Sequence, residues 1–195
     1  MFVALTACAC AYVLGSIPTG VLIGRARGVD VRAVGSGNIG ATNVARALGK
    51  GWAILVLLLD AAKGFAPVFI ARAMPGWFSP AAVAFVGLSA IVGHMFTVFL
   101  RGRGGKGVAT SLGVALGLWP STGLACLGVY AAVYALTRLS SLGSLLGMWA
   151  FPLIALGRGG LPRAYLALSI AGAALVTARH RDNIRRLLRR EEKRT

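Results

Sequence analysis

The sequence predicts an all-α protein that crosses a membrane about seven times, built as a single domain over residues 1–195. Three observations predict it. Hydrophobic residues make up 57% of the chain and charged residues only 13%, against about 25% charged in an ordinary soluble domain; the mean hydropathy is +0.76. The apolar residues form runs near the length a bilayer demands, about 17–25 residues. The cations gather in a few polar segments between those runs. A chain of this size cannot hide so much apolar surface inside itself, so lipid is the solvent for most of it.

Phe2–Ile23 is the first run and reads as a retained membrane helix rather than a cleaved leader. Trp52–Ala73 and Pro80–Leu100 follow. A shorter run, Val108–Trp119, stops at Pro120. Thr122–Leu136, Ser140–Leu156 and Pro162–Ala178 complete the set. Each full span has to be helical, because lipid offers no partner to backbone N–H and C=O groups. Gly20-xxx-Gly24, Gly113-xxx-Gly117 and Gly143-xxx-Gly147 are expected to let helices approach closely. Cys8, Cys10 and Cys126 sit in apolar runs and read as small apolar residues. Residues 178–195 form a basic tail, in which Ile184, Leu187 and Leu188 share one helix face, as in an interfacial helix.

Loop charge sets the orientation. With the N-terminus outside, the inner side holds Arg25, Arg27, Arg32, Arg46, Lys50, Arg101, Arg103, Lys106, Arg138 and the tail cations. The outer side keeps Arg72, Arg158 and Arg163. The Gly24–Lys50 loop, the "RGRGGKG" loop and the C-terminal tail then meet at the cytoplasmic face. The balance of 21 Lys and Arg against 5 Asp and Glu suits nucleic acid, anionic lipid or phosphorylated substrates. No basic stretch is interleaved with aromatic residues, so nucleic acid is not expected.

Two glycine-rich segments point to anions. "GSGNIGATNVARALGKG" contains Gly35-x-Gly37-x-x-Gly40, but no strand–helix–strand unit surrounds it as a dinucleotide fold requires. Glycines that turn backbone N–H groups inward build a nest for an anion; Ser36, Asn38, Thr42 and Asn43 add donors, and Arg46 adds a guanidinium. In "GRGGKG", Gly104, Gly105 and Gly107 bracket Lys106 just before a helix start. A cation there opposes the helix dipole, and a bound anion resolves the conflict. His94 stands near the inner end of a span, and Asp60 and Lys63 share a helix face at i and i+3. Both ionisable groups in a span and their mutual pairing are expected, with Lys63 and His94 as supporting candidates at the site. His180 and Asn183, also i and i+3, leave the last span as an acid–base and orienting pair.

Taken together, these segments resemble the bacterial integral-membrane glycerol-3-phosphate acyltransferases that use acyl phosphate as donor. The family loop G-S-G-N-x-G-x-T-N is met by Gly35 to Asn43, with Arg46 beyond. G-H-x-x-P followed by G-G-K-G is met by Gly93-His94 and Gly104-Gly105-Lys106-Gly107, with Thr97 in the proline position. H-R-x-N-I-x-R-L-L-x-G-x-E is met by His180, Arg181, Asn183, Ile184, Arg186, Leu187, Leu188 and Glu192, with Arg190 in the glycine position. "GSIPTG", "DAAKG" and "TRLSSL" are smaller matches, and the order holds along nearly the whole chain.

The resemblance implies seven helices and a site facing the cytoplasm in the bacterial inner membrane. It implies the first step of phospholipid synthesis: the 1-hydroxyl of glycerol 3-phosphate attacks the carbonyl of a long-chain acyl phosphate, giving 1-acylglycerol 3-phosphate (lysophosphatidic acid) and phosphate. Acyl phosphate is an activated mixed anhydride, so no covalent nucleophile, cofactor or metal is expected. Ser36, His180 and Asn183 are the expected catalytic residues. Gly35, Gly37, Asn38, Gly40, Thr42, Asn43, Arg46, Gly105, Lys106, Ser140 and Ser141 are expected to bind phosphate. The proton acceptor is left open between His180 and the donor's phosphate. The H-x(4)-D pair of another acyltransferase class is absent, since Phe99 and Arg185 stand five residues after His94 and His180. The alternative is a transporter or binding protein for a phosphorylated anion or lipid, but no two-fold repeat of broken helices is visible.

Overall fold

The computed structural model describes residues 1–194; the side chain of Arg158, expected on the outer side, and Thr195 at the end of the tail lie outside the described residues. Among the described residues there are ten α-helices: α1 (Phe2–Ser16), α2 (Thr19–Ala26), α3 (Ala41–Leu48), α4 (Lys50–Arg72), α5 (Pro80–Met95), α6 (Val108–Leu118), α7 (Pro120–Thr137), α8 (Ser140–Arg158), α9 (Arg163–Arg179) and α10 (Arg181–Leu188). All seven apolar runs become helical. Where about seven spans were expected, five segments among the described residues are long and apolar enough to cross a membrane: Phe2–Ala26, Lys50–Arg72, Pro80–Leu100, Pro120–Thr137 and Ser140–Gly157. Helix α6 has 11 residues, about 16 Å of rise, roughly half a hydrocarbon core.

The first run is broken because Pro18 has no N–H and restricts the residue before it. The carbonyl of Ile17 is freed inside the apolar layer and accepts a hydrogen bond from Lys63 Nζ at 2.8 Å. Asp60, 2.9 Å from Lys63, accepts from Thr19 Oγ1 in the first turn of α2. The expected Asp60–Lys63 pair therefore exists, and its task is to satisfy a broken helix. Lys63 is buried and committed there.

Close helix packing rests on glycines. A Cβ at Gly113 would collide with the Ala61 carbonyl of α4, and one at Gly64 with the Thr110 carbonyl of α6. Gly15 and Gly93 play the same part between α1 and α5. Gly143 and Gly147 face Tyr130 and Cys126 on α7, as their spacing suggested. Gly20 and Gly24 differ. They face the loop carbonyls of Ile39 and Val29, because the chain after α2 folds back over its own helix.

That fold-back makes a second small core at one end of the bundle. Val21, Val31, Ile39, Val44 and Val56 are buried together, and α3 lies on α4. The segments after α2, after α5 and after α9 all gather at this end, joined by the polar contacts described below.

The tail turns back sharply. Arg190 N–H donates to Leu187 O at 3.1 Å and Glu191 N–H to Arg186 O at 2.8 Å, the two bonds of a Schellman cap. Arg190 holds the left-handed position with φ 59°, the place where the family pattern has glycine. An L-residue costs about 1–2 kcal/mol there. Arg190→Gly is therefore expected to stabilise the tail by about 1 kcal/mol, part of the relief being lost to the freer unfolded glycine. A higher midpoint of thermal unfolding checks this, and an unchanged or lower one contradicts it.

Candidate active site

The glycine loop is built around Asn43. This side chain is 1% exposed, and its Oδ1 accepts from Ser36 N–H at 2.8 Å and Ser36 Oγ at 3.2 Å. Its Nδ2 donates to Val31 O at 2.7 Å. Asn43 is thus a strut for the loop, with its amide engaged by protein on both ends. Asn38 closes a local turn by accepting from Gly40 N–H at 2.9 Å. Gly35 takes φ 60°, and a Cβ there would crowd Asn43 Oδ1 at 2.5 Å; only glycine lets the loop wrap this closely. Ser36 and Thr42 stay exposed, as does Arg46 on the following helix.

Lys106 reaches the site from the second glycine segment and donates from Nζ to Asn183 Oδ1. Burial pushes its ammonium down to about 8, with Glu192 opposing the shift and the charges of Arg186 and Arg46 adding to it. Gly105 is small for a stated reason: a Cβ there would collide with the His94 imidazole. His94 itself is buried, its Nδ1 3.7 Å from Asp60 Oδ1 and without a hydrogen bond.

The third segment comes from the junction of α9 and α10. His180 caps α10 and is 3% exposed. Its Nδ1 lies 2.8 Å from the Val176 carbonyl. A carbonyl only accepts, so Nδ1 carries the proton and Nε2 is left as an acceptor. Burial, and then the Lys106 charge, push its imidazolium down to about 4, so the ring is neutral at pH 7.

His180 and Asn183 do not pair with each other. Asn183 donates instead to Glu192 Oε1, and Glu192 also receives Ser141 Oγ at 2.8 Å and Arg186 Nε at 2.6 Å. Burial pushes the Glu192 carboxyl up, but the hydrogen bonds from Asn183, Arg186 and Ser141 outweigh it and keep the group below its ordinary value. Ser140, at the start of α8, lies 3.1 Å from Thr42 Oγ1 and 3.2 Å from Tyr130 OH.

These residues surround one cavity of about 980 Å³. Ser36, Thr42, Arg46, Lys106, His180 and Asn183 line its polar part, and Ser140 and Ser141 join them. Ala115, Leu127, Met148 and Phe151 line an apolar part between α6, α7 and α8. Gly35, Asn38, Gly40 and Asn43 also border it, whereas Gly37 and Gly105 shape their loops from behind. His94 reaches the cavity wall. Lys63 does not, because the Ile17 carbonyl and Asp60 hold it. Sequence reasoning gave no site role to Glu192, Tyr130 or Arg186. Glu192 and Arg186 carried a signal as matched positions of the H-R-x-N-I-x-R-L-L-x-G-x-E pattern, without a role attached to it; Tyr130 carried none.

The chain is similar to known proteins along nearly its whole length. The family model described as glycerol-3-phosphate acyltransferase matches residues 5–190. The glycerol-3-phosphate acyltransferase of Geobacter sulfurreducens is 49% identical over 179 residues, covering 92% of this chain and 91% of that one. That of Rubrobacter xylanophilus is 49% identical over 182 residues, covering 93% and 90%. Among solved structures, PlsY, an integral membrane glycerol 3-phosphate acyltransferase, in its glycerol 3-phosphate form superimposes with a TM-score of 0.94 at 44% identity, covering 98% of this chain and 95% of that one. Its lysophosphatidic acid form gives 0.91 at 43%, covering 98% and 94%. With its helical membrane architecture and this site, the chain belongs to the glycerol-3-phosphate acyltransferase family.

Proposed function

We propose that this protein transfers a long-chain acyl group from acyl phosphate to the 1-hydroxyl of glycerol 3-phosphate, at the cytoplasmic face of the bacterial inner membrane. The observation that carries the proposal is one cavity with two chemistries: a cationic, hydroxyl-rich part and an apolar part that opens among membrane helices. A substrate with a phosphate on one end and an acyl chain on the other fits both.

In this reading the acyl chain lies along Leu127, Met148 and Phe151. The Gly35–Asn43 loop takes the donor phosphate, with Ser36 beside the reacting carbonyl. Lys106, Arg46, Ser140 and Ser141 take phosphate charge. The hydroxyl oxygen of glycerol 3-phosphate attacks the acyl carbon, and the carbon–oxygen bond to phosphate breaks. His180 Nε2 accepts the hydroxyl's hydrogen bond and aims its lone pair. A ring with its pKa near 4 is a weak proton acceptor at neutral pH, where a group near the working pH does best. The departing phosphate, whose second ionisation lies close to neutral pH, is the better final acceptor. Asn183, held by Glu192, keeps Lys106 in place. Neutralising two phosphates in one site is what calls for so dense a cluster of cations.

The topology is checked by Ser36→Cys, Lys106→Cys and Asn183→Cys, each introduced singly after the native Cys8, Cys10 and Cys126 are replaced by alanine. In right-side-out vesicles a membrane-impermeant thiol reagent is expected to leave all three unlabelled, and in inverted vesicles to label them. Labelling of any one from the outside contradicts the arrangement.

A further inference from the structure

We infer that Arg179 is a positioning residue for this reaction: its guanidinium clamps the peptide just before Lys106 and ties it to the peptide just before His180. The inference rests on the assignment of Lys106 to substrate phosphate.

The Gly104-Gly105-Lys106 segment has no helix of its own. It lies between the turn Val98–Leu100 and the start of α6. Its backbone donors are held from one side, by the last carbonyls of α5: Gly104 N–H donates to Met95 O at 3.1 Å and Gly105 N–H to His94 O at 3.0 Å. Its backbone acceptors are held from the other side by one residue. Arg179 donates from Nη2 to Gly104 O at 2.9 Å and from Nε to Gly105 O at 3.2 Å. Two successive glycines leave this backbone free to move, so the position of Lys106 depends on these four bonds.

The guanidinium is itself held in place. It sits over the Phe96 ring, 5.5 Å from the centroid, a cation–π contact with the residue that follows α5. Arg179 makes no ion pair among the described residues, and the Nε/Nη2 edge of its guanidinium serves the two carbonyls. It is the last residue of α9, and His180 follows it directly. One side chain therefore links the second polar segment to the third. The Lys106–Asn183 hydrogen bond is the other tie between them.

A basic residue at the end of a membrane helix has an ordinary explanation, as an anchor to anionic lipid. The two roles differ in one respect. An anchor needs only charge, so lysine serves as well as arginine. A clamp on two carbonyls needs the planar fork, which lysine lacks.

The test is steady-state kinetics on purified Arg179→Lys, Arg179→Ala, Lys106→Ala and the Arg179→Lys/Lys106→Ala double variant, with thermal unfolding of each. Arg179→Lys is expected to keep the wild-type unfolding midpoint and to lose about tenfold in kcat/KM, mainly as a higher KM for glycerol 3-phosphate, since small displacements of a binding group cost that much or more. Methylguanidinium is expected to restore part of the activity of Arg179→Ala and none of Lys106→Ala. In the Lys106→Ala background Arg179→Lys is expected to add little further loss, because both changes act on one contact. An Arg179→Lys protein as active as wild type, or losses that add fully in the double variant, would overturn the clamp. If Lys106→Ala itself leaves the kinetics unchanged, the assignment of Lys106 fails first and the clamp with it; a large Lys106→Ala loss beside a fully active Arg179→Lys refutes the clamp alone.

Discussion

Lys106→Ala is expected to lower kcat/KM for glycerol 3-phosphate by about a hundredfold. A charge-assisted hydrogen bond is worth about 1.5–3 kcal/mol, which at about 1.4 kcal/mol per decade is roughly tenfold to a hundredfold in binding alone. If the contact strengthens as charge moves onto phosphate in the transition state, kcat falls as well. The variant also removes the partner of Asn183 Oδ1, which loosens the junction that holds His180. The pH dependence carries the sign. Burial pushes the Lys106 ammonium down to about 8, so the charge is complete well below that pH and is lost as pH rises through it. In the wild type, kcat/KM should therefore fall above about pH 8, approaching about tenfold per unit, as for loss of one essential proton. Lys106→Arg keeps its charge throughout this range, so whatever activity it retains should lack that alkaline decline. A wild-type profile flat to pH 10 would contradict the assignment.

His180→Ala is expected to act on kcat, by roughly ten- to a hundredfold, with KM for both substrates nearly kept. The ring's Nδ1–H is fixed on Val176 O, and the loss is that of an orienting acceptor at Nε2, for which misplacement of the attacking group costs on this scale. Its pKa is pushed down to about 4, so the ring is neutral above that pH and charges only as pH falls through it. Between pH 6 and 8 the variant should keep the shape of the wild-type profile. A larger loss together with a changed profile would make His180 the proton acceptor. Unchanged turnover would remove it from the reaction.

The membrane architecture was legible in the sequence because lipid imposes a simple rule: apolar runs become helices, as all seven did, and five of them are long and apolar enough to span, where about seven spans were expected. Helix ends were less legible. The break at Ile17–Pro18 carried a proline signal, but its cost is met by Lys63, whose partner lies 46 residues away and is set by packing. Ser36, Lys106, His180 and Asn183 stood out because polar, glycine-rich segments are conspicuous in an apolar chain. Resemblance to a family then placed them in one reaction. The role of Glu192 was not legible, although its place in the family pattern was, since it reaches Asn183 and Ser141 only through the left-handed turn at Arg190. Arg179 was hidden by composition. In a tail so rich in arginine, the ones with protein partners look like the ones that meet lipid, and only the fold separates them.

The donor is the central proposal, because an activated mixed anhydride needs no acyl-enzyme intermediate and the proposed reaction relies on that activation. The most direct measurement uses purified protein with glycerol 3-phosphate and a single donor at a time, following lysophosphatidic acid and inorganic phosphate together. With long-chain acyl phosphate, the two products are expected to appear in equal amounts, and with acyl-CoA neither is expected. Turnover with acyl-CoA as the only donor, or acyl phosphate consumed without acylation of glycerol 3-phosphate, would contradict it.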